Sequence, residues 1–277
     1  FQVLGYMAAS FLSTLSIVLF LGWAVRRSLA SRIPAEGYRA YLPEIFRYML
    51  WLGLGILVSS LQGTVEPWVI RHRLSLHDSA GYYLVAMFGN IPAYVAPAMG
   101  PFLFPLVSAR HAKGESTRGM HWQSLAVVLA IGAALVLLFA FAGSFLLDIR
   151  PSWRTYADFA PYIWQVAIVT TLSAFVGVHM THENACGRFS YLWYYVPIVL
   201  LEVGLLYGLM GWEFFRPYLS TGLWNWVGGL VSRDLQFTIS FMLGARILLF
   251  FCIVMDIMVF RRYAVTQKEP GIVGAQI

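Results

Sequence analysis

The sequence predicts an all-α transmembrane protein with about seven membrane-spanning helices. Three observations carry that expectation. Apolar segments of 18 residues or more recur along nearly the whole chain, and a helix needs roughly 20 residues to cross hydrocarbon. Hydrophobic residues make up 59% and charged residues 12% of 277 positions, with a mean hydropathy of +0.69; a soluble domain of this size needs far more polar surface. Strand-like alternation is absent, which favours helices over a barrel.

The first apolar run covers 1–25. No charged leader or small-residue cleavage site precedes it, so it does not read as a signal peptide. It reads as an internal start, with more chain expected upstream. A basic linker up to residue 42 follows, with Pro34 and Gly37. Six further spans are expected, near 44–70, 80–108, 122–147, 158–180, 190–211 and 236–260. Between the last two spans, 212–234 carries Phe214, Phe215, Trp224 and Trp226 with charges near its ends. It reads equally as an amphipathic interfacial helix or as a loop packed on the bundle. The tail, 264–277, reads as disordered. Trp68, Trp153, Trp193 and Trp212 fall near span ends, as an interfacial aromatic belt requires.

Loop charge sets the expected orientation. The loops after the first, third and fifth spans, with the tail, hold Arg26, Arg27, Arg32, Arg39, Arg110, Lys113, Arg118, Arg188, Arg261, Arg262 and Lys268. The opposite loops hold Arg71, Arg73, Arg150, Arg154, Arg216 and Arg233. The richer side is expected to be cytoplasmic, with the C-terminus inside. The net charge of +6 is explained by these helix ends, and no basic patch with exposed aromatics argues for nucleic acid.

The third span is the most distinctive stretch. Pro97, Pro101 and Pro105 fall at i, i+4 and i+8, on one helix face, after Gly89 and Pro92. Proline removes a backbone donor and opens a kink, which in lipid needs neighbours or cavity water. These prolines read as a hinge in a cavity-lining helix, or simply as the proline that membrane helices often carry. The same stretch contains Ala80-Gly81-Tyr82-Tyr83, then Phe104-Pro105-Leu106-Val107-Ser108, then His111-Ala112-Lys113-Gly114-Glu115. Arg47 to Leu61 precedes it, and Asn184-Ala185-Cys186-Gly187-Arg188 follows. In order and spacing this set resembles the polysaccharide flippases of the MOP (MATE-like) superfamily, over about 40–262. The 212–234 insertion is longer than that pattern.

The resemblance implies two six-helix lobes rocking around a hydrated cavity, which carry a lipid-linked oligosaccharide between leaflets; it makes 1–42 the last helix of a first lobe with its linker, and 43–263 the six-helix second lobe. It places the cavity wall on the second and third spans, whose polar candidates are Arg47, Gln62, Glu66, Arg71, Arg73, Asn90 and Tyr94. Glu66 reads as a site for a coupling cation, proton or sugar hydroxyl, or as an interfacial partner of Arg71 or Arg73. The two arginines read as diphosphate ligands or headgroup anchors.

Glu202 and Arg246 stand apart. Glu202 lies about 18 Å from the start of its span, and Arg246 about 15 Å from the start of the next. Both depths fall near the midplane of a core of about 30 Å. A lone charge there costs several kcal/mol, so the two are expected to form a buried ion pair, either as a static clasp or as an ion or substrate site. Asp256 reads as a span-end residue near Arg261 and Arg262. His179 and His182 have His-x-x-His spacing beside Glu183, but the sequence offers no third convergent ligand, so no metal is expected. Cys186 and Cys252 have no zinc or redox spacing and are not expected to pair. No P-loop or nucleophile–base set is present, so neither an enzyme activity nor a cofactor is expected.

The expected function is transport of a lipid-linked oligosaccharide or polysaccharide across a bacterial inner membrane. The expected partners are that lipid, bilayer lipids, an N-terminal lobe of the same protein and other polysaccharide-synthesis subunits. Alternatives are a cation-coupled drug antiporter of the same superfamily, a membrane glycosyltransferase or polymerase using the 212–234 segment, and a non-transporting subunit of an exopolysaccharide assembly.

Overall fold

The computed structural model describes Trp23, residues 35–210 and residues 235–260. Apart from Trp23, the first span lies outside the described residues, as do the 212–234 insertion and the 264–277 tail. The chain divides into two compact units, Phe1–Trp51 and Leu52–Ile277. In the first unit, the described side chains from Leu42 to Trp51 are mostly exposed, Phe46 at 72%.

All described secondary structure is helical. Helix α1 runs Ala35–Arg73, α2 Leu76–Gly89, α3 Val95–Ala112, α4 Arg118–Asp148, α5 Ala160–Ala185, α6 Leu192–Met210 and α7 Leu235–Met255. Short 3-10 segments cover Ile91–Tyr94 and Pro151–Phe159, and a π turn covers Asp256–Phe260. Five stretches are long and apolar enough to cross a membrane: Leu42–Pro67, Ile91–Ala112, Arg118–Asp148, Pro151–Ala185 and Thr238–Met258. Leu192–Leu205 is apolar but shorter. This is the composition of a multi-pass helical membrane protein. Helix α1 begins inside the stretch expected to be linker.

The expected third span is not one helix. Ser75 caps α2 by accepting from the Asp78 N–H at 3.0 Å, and α2 stops at Asn90. Pro92 has no N–H to give, so the chain tightens into a 3-10 turn in which the Ala93 N–H bonds Asn90 O at 3.0 Å. The Thr170 hydroxyl of α5 donates to Gly89 O at 2.6 Å. In a membrane, a carbonyl at such a break needs a partner of this kind. Helix α3 then runs as α through Pro101 and Pro105.

Helix α5 is the centre of the second unit. Of its 26 residues 15 are buried, whereas α3 buries only Leu103 and Val107. One apolar cluster gathers Val107, Leu125, Phe175, Val199, Leu249 and Ile253. Another gathers Ile70, Tyr82, Val85, Phe139, Ile163 and Ile239. Helices approach where small residues permit: a Cβ on Gly132 would collide with Thr171, and one on Gly89 would lie 2.7 Å from Val166. The outward faces carry Phe102, Leu106, Leu137, Phe141, Phe145, Leu201 and Phe251, all more than half exposed. An apolar exterior around a polar-studded interior suits lipid as the solvent.

Candidate functional site

Two polar centres interrupt the apolar interior of the second unit. The first is built from α1, α5, α6 and α7. Arg246 of α7 is 4% exposed and spreads its guanidinium over three partners. Its Nη1 donates to Glu202 Oε2 at 2.7 Å, its Nη2 to Glu66 Oε1 at 2.5 Å and its Nε to Ser173 Oγ at 2.8 Å. Gln62 Nε2 donates to the same Glu202 oxygen at 2.5 Å. A planar fork of fixed donors makes Arg suited to holding two carboxylates at once.

With both carboxylates ionised, the centre carries one negative charge in excess. Among the described residues, Glu202 Oε1 is buried with no hydrogen-bond partner. A proton or a cation balances such a charge in hydrocarbon. A cavity of about 90 Å³ adjoins the centre, lined by Gln62, Ser173, Tyr195 and Arg246 among others. At Ser59 and Met180 it meets a groove of about 340 Å³, lined also by Gly55, Ser60, Asn184 and Tyr191. Ser59 Oγ lies 3.1 Å from Tyr195 Oη, and Tyr191 Oη donates to Asn184 Oδ1 at 2.9 Å. The groove is mainly apolar, with Leu52, Ile56 and Met180 beside the hydroxyls of Ser59, Ser60 and Tyr191 and the amide of Asn184.

The second centre lies roughly 9–15 Å along α5, six to ten residues beyond Ser173. His121 from the first turn of α4 meets His179, His182 and Glu183 from the last turns of α5, and all four are buried. His179 Nδ1 is 3.2 Å from His121 Nε2, and His179 Nε2 is 3.0 Å from Tyr194 Oη. His182 Nδ1 is 3.0 Å from Glu183 Oε1, and its Nε2 is 3.1 Å from Thr117 Oγ1. The rings of His121 and His182 stack with centroids 4.0 Å apart. One ligand atom each from His121, His182 and Glu183 lies within 4.8 Å of the others.

The residues singled out from sequence separate into those brought together and those left apart. Gln62, Glu66, Glu202 and Arg246 meet in the first centre. Among the described side chains the partner of Glu66 is Arg246, not Arg71. Arg71 is exposed, and the Arg73 side chain lies outside the described residues. Arg47 is exposed and belongs to the Phe1–Trp51 unit. Asn90 and Tyr94 are exposed at the break between α2 and α3. Pro97, Pro101 and Pro105 do share a face, but that face is exposed and lines neither cavity. The departure from α geometry precedes them, because it follows Pro92.

Asp256 is only 14% exposed and approaches His179 Nε2 at 4.0 Å, whereas its expected partners Arg261 and Arg262 lie outside the described residues. The third imidazole that the sequence did not offer is His121, 58 residues before His179. Its position in the first turn of an apolar helix was the available signal. Cys186 and Cys252 are free. No protein-family model, curated protein or solved structure matches this chain.

Proposed function

We propose that the chain is part of a membrane transporter that moves a lipid-linked oligosaccharide or polysaccharide across the bacterial inner membrane by alternating access, with its C-terminus in the cytoplasm. The observation that carries this reading is the Glu66–Arg246–Glu202 centre. Charges buried deep in a membrane bundle are costly and mark substrate or ion pathways, and this one adjoins a cavity lined by Ser59, Gln62, Ser173 and Tyr195. The ordered resemblance to polysaccharide flippases supplies the substrate class. A diphosphate headgroup cannot cross bare hydrocarbon, so a pathway for it needs polar lining such as Ser59, Gln62 and Tyr195.

A second reading is cation-coupled antiport of a small molecule. The excess carboxylate and the buried Glu202 Oε1 favour it, since a site short of one positive charge is suited to a coupling proton or cation.

One experiment separates the two. Cells lacking the full-length protein are probed for the leaflet that holds their lipid-linked oligosaccharide, by protection from a membrane-impermeant reagent. Accumulation in the inner leaflet, with loss of surface polysaccharide, is expected. Glu66→Gln in the complementing copy is expected to leave the protein in the membrane and to cut surface polysaccharide at least tenfold. A normal leaflet distribution in the deletion strain would transfer the weight to antiport.

A further inference from the structure

The histidine centre takes no part in the proposed pathway. It is nonetheless an unusual use of buried volume: three imidazoles and a carboxylate, each at most 1% exposed, where α4 begins and α5 ends. Two imidazoles and a carboxylate are a ligand set that first-row divalent ions favour. Their donor atoms already converge. His182 Nδ1 and Glu183 Oε1 are 3.0 Å apart, and no two of the three donors are farther apart than 4.8 Å. A tetrahedral zinc with bonds of 2.0–2.1 Å holds its donors about 3.3 Å apart, so the remaining contraction is at most about 1.5 Å.

The surroundings also fit. An imidazole that ligates a metal engages its second nitrogen with a neighbour, which fixes the ring. Thr117 Oγ1 lies 3.1 Å from His182 Nε2, and His179 Nδ1 lies 3.2 Å from His121 Nε2. Tyr194 and Asp256 back the far side of His179. One adjustment is required. The His121 and His182 rings are parallel within 4°, and in-plane lone pairs of parallel rings do not meet at one ion. A tilt of one ring out of the stack makes them converge.

We propose that His121, His182 and Glu183 form a binding site for a divalent transition-metal ion of the zinc class, which ties the start of α4 to the end of α5. The site stands independently of the transport reading. The full-length protein, carrying no histidine tag, is purified in detergent, exposed to zinc chloride and desalted, and its zinc is counted by mass spectrometry. Stoichiometric zinc is expected, with a higher unfolding temperature in zinc than in magnesium. His121→Ala and the near-isosteric Glu183→Gln are expected to bind at least tenfold more weakly. His111→Ala, which removes an exposed imidazole, is expected to retain zinc. Absence of zinc from the wild type overturns the site, as does equal zinc in the wild type and in folded Glu183→Gln. If neither variant folds, the wild-type stoichiometry and its zinc-specific thermal shift decide alone.

Discussion

Arg246 is the residue on which the first polar centre depends. It is the cation between two buried carboxylates, so its removal leaves both Glu66 and Glu202 uncompensated. Breaking a buried pair from one side costs about 3–5 kcal/mol. Arg246→Ala is therefore expected to unfold at markedly lower temperature or denaturant in detergent, read by tryptophan fluorescence. Adding Glu66→Gln and Glu202→Gln to that variant is expected to recover part of the loss, because the charges that need compensation are gone. Arg246→Lys is expected to rescue poorly, since one ammonium cannot replace a fork that reaches Glu66, Glu202 and Ser173 together. An Arg246→Ala protein as stable as the wild type would remove the clasp role.

The sequence made the Glu202–Arg246 contact legible through depth: two charges near the midplane of consecutive spans have few other partners. It did not reveal Glu66 as a third member. Arg71 and Arg73 are close to Glu66 in sequence, but Arg73 lies seven residues on, roughly 10 Å along the helix. Arg246, distant in sequence, reaches across from α7. His121 was hidden for the same reason, since linear spacing cannot show which helix ends converge.

Among the elements, the break between α2 and α3 is the most informative. Proline and glycine announced an interruption, but not which carbonyl would be left exposed or what would satisfy it. The answer is Thr170, a β-branched residue on the most buried helix, whose hydroxyl reaches Gly89 O. Thr170→Val keeps the shape and deletes the donor, leaving a buried carbonyl without that bond. A loss of about 1–3 kcal/mol is expected, with Thr170→Ser near wild type; equal stability of Val and Ser variants would show that water replaces the hydroxyl.

The turn after α5 was more legible. Gly187 adopts φ +67°, and the Arg188 N–H bonds Glu183 O at 2.9 Å, the left-handed closure that glycine after a helix permits. That turn also fixes the helix end that presents His182 and Glu183.

For the whole molecule, the testable quantity is which end faces which compartment. On a background of Cys186→Ser and Cys252→Ser, Arg150→Cys is expected to react with a membrane-impermeant maleimide in intact cells. Lys113→Cys is expected to react only after permeabilisation. Both residues are exposed in loops at the two ends of α4. The reverse pattern would invert the topology and place the histidine centre on the outer side.

The sequence by itself determined that this is an all-α chain with membrane-length apolar helices, and where several of them begin and end. Those properties are local: they follow from composition, segment length, proline and glycine. Only the tertiary structure decided how each helix is rotated, and hence that Glu66 faces Arg246, that His121 joins His182 and Glu183, and that the face of Pro97, Pro101 and Pro105 points outward. The physical reason is the solvent. A helix at a water boundary shows its buried face by contrast between apolar and polar sides. In a bilayer the outer face is as apolar as the core, so the contrast vanishes, and packing of residues such as Gly132, Gly89 and Thr170 sets the rotation instead.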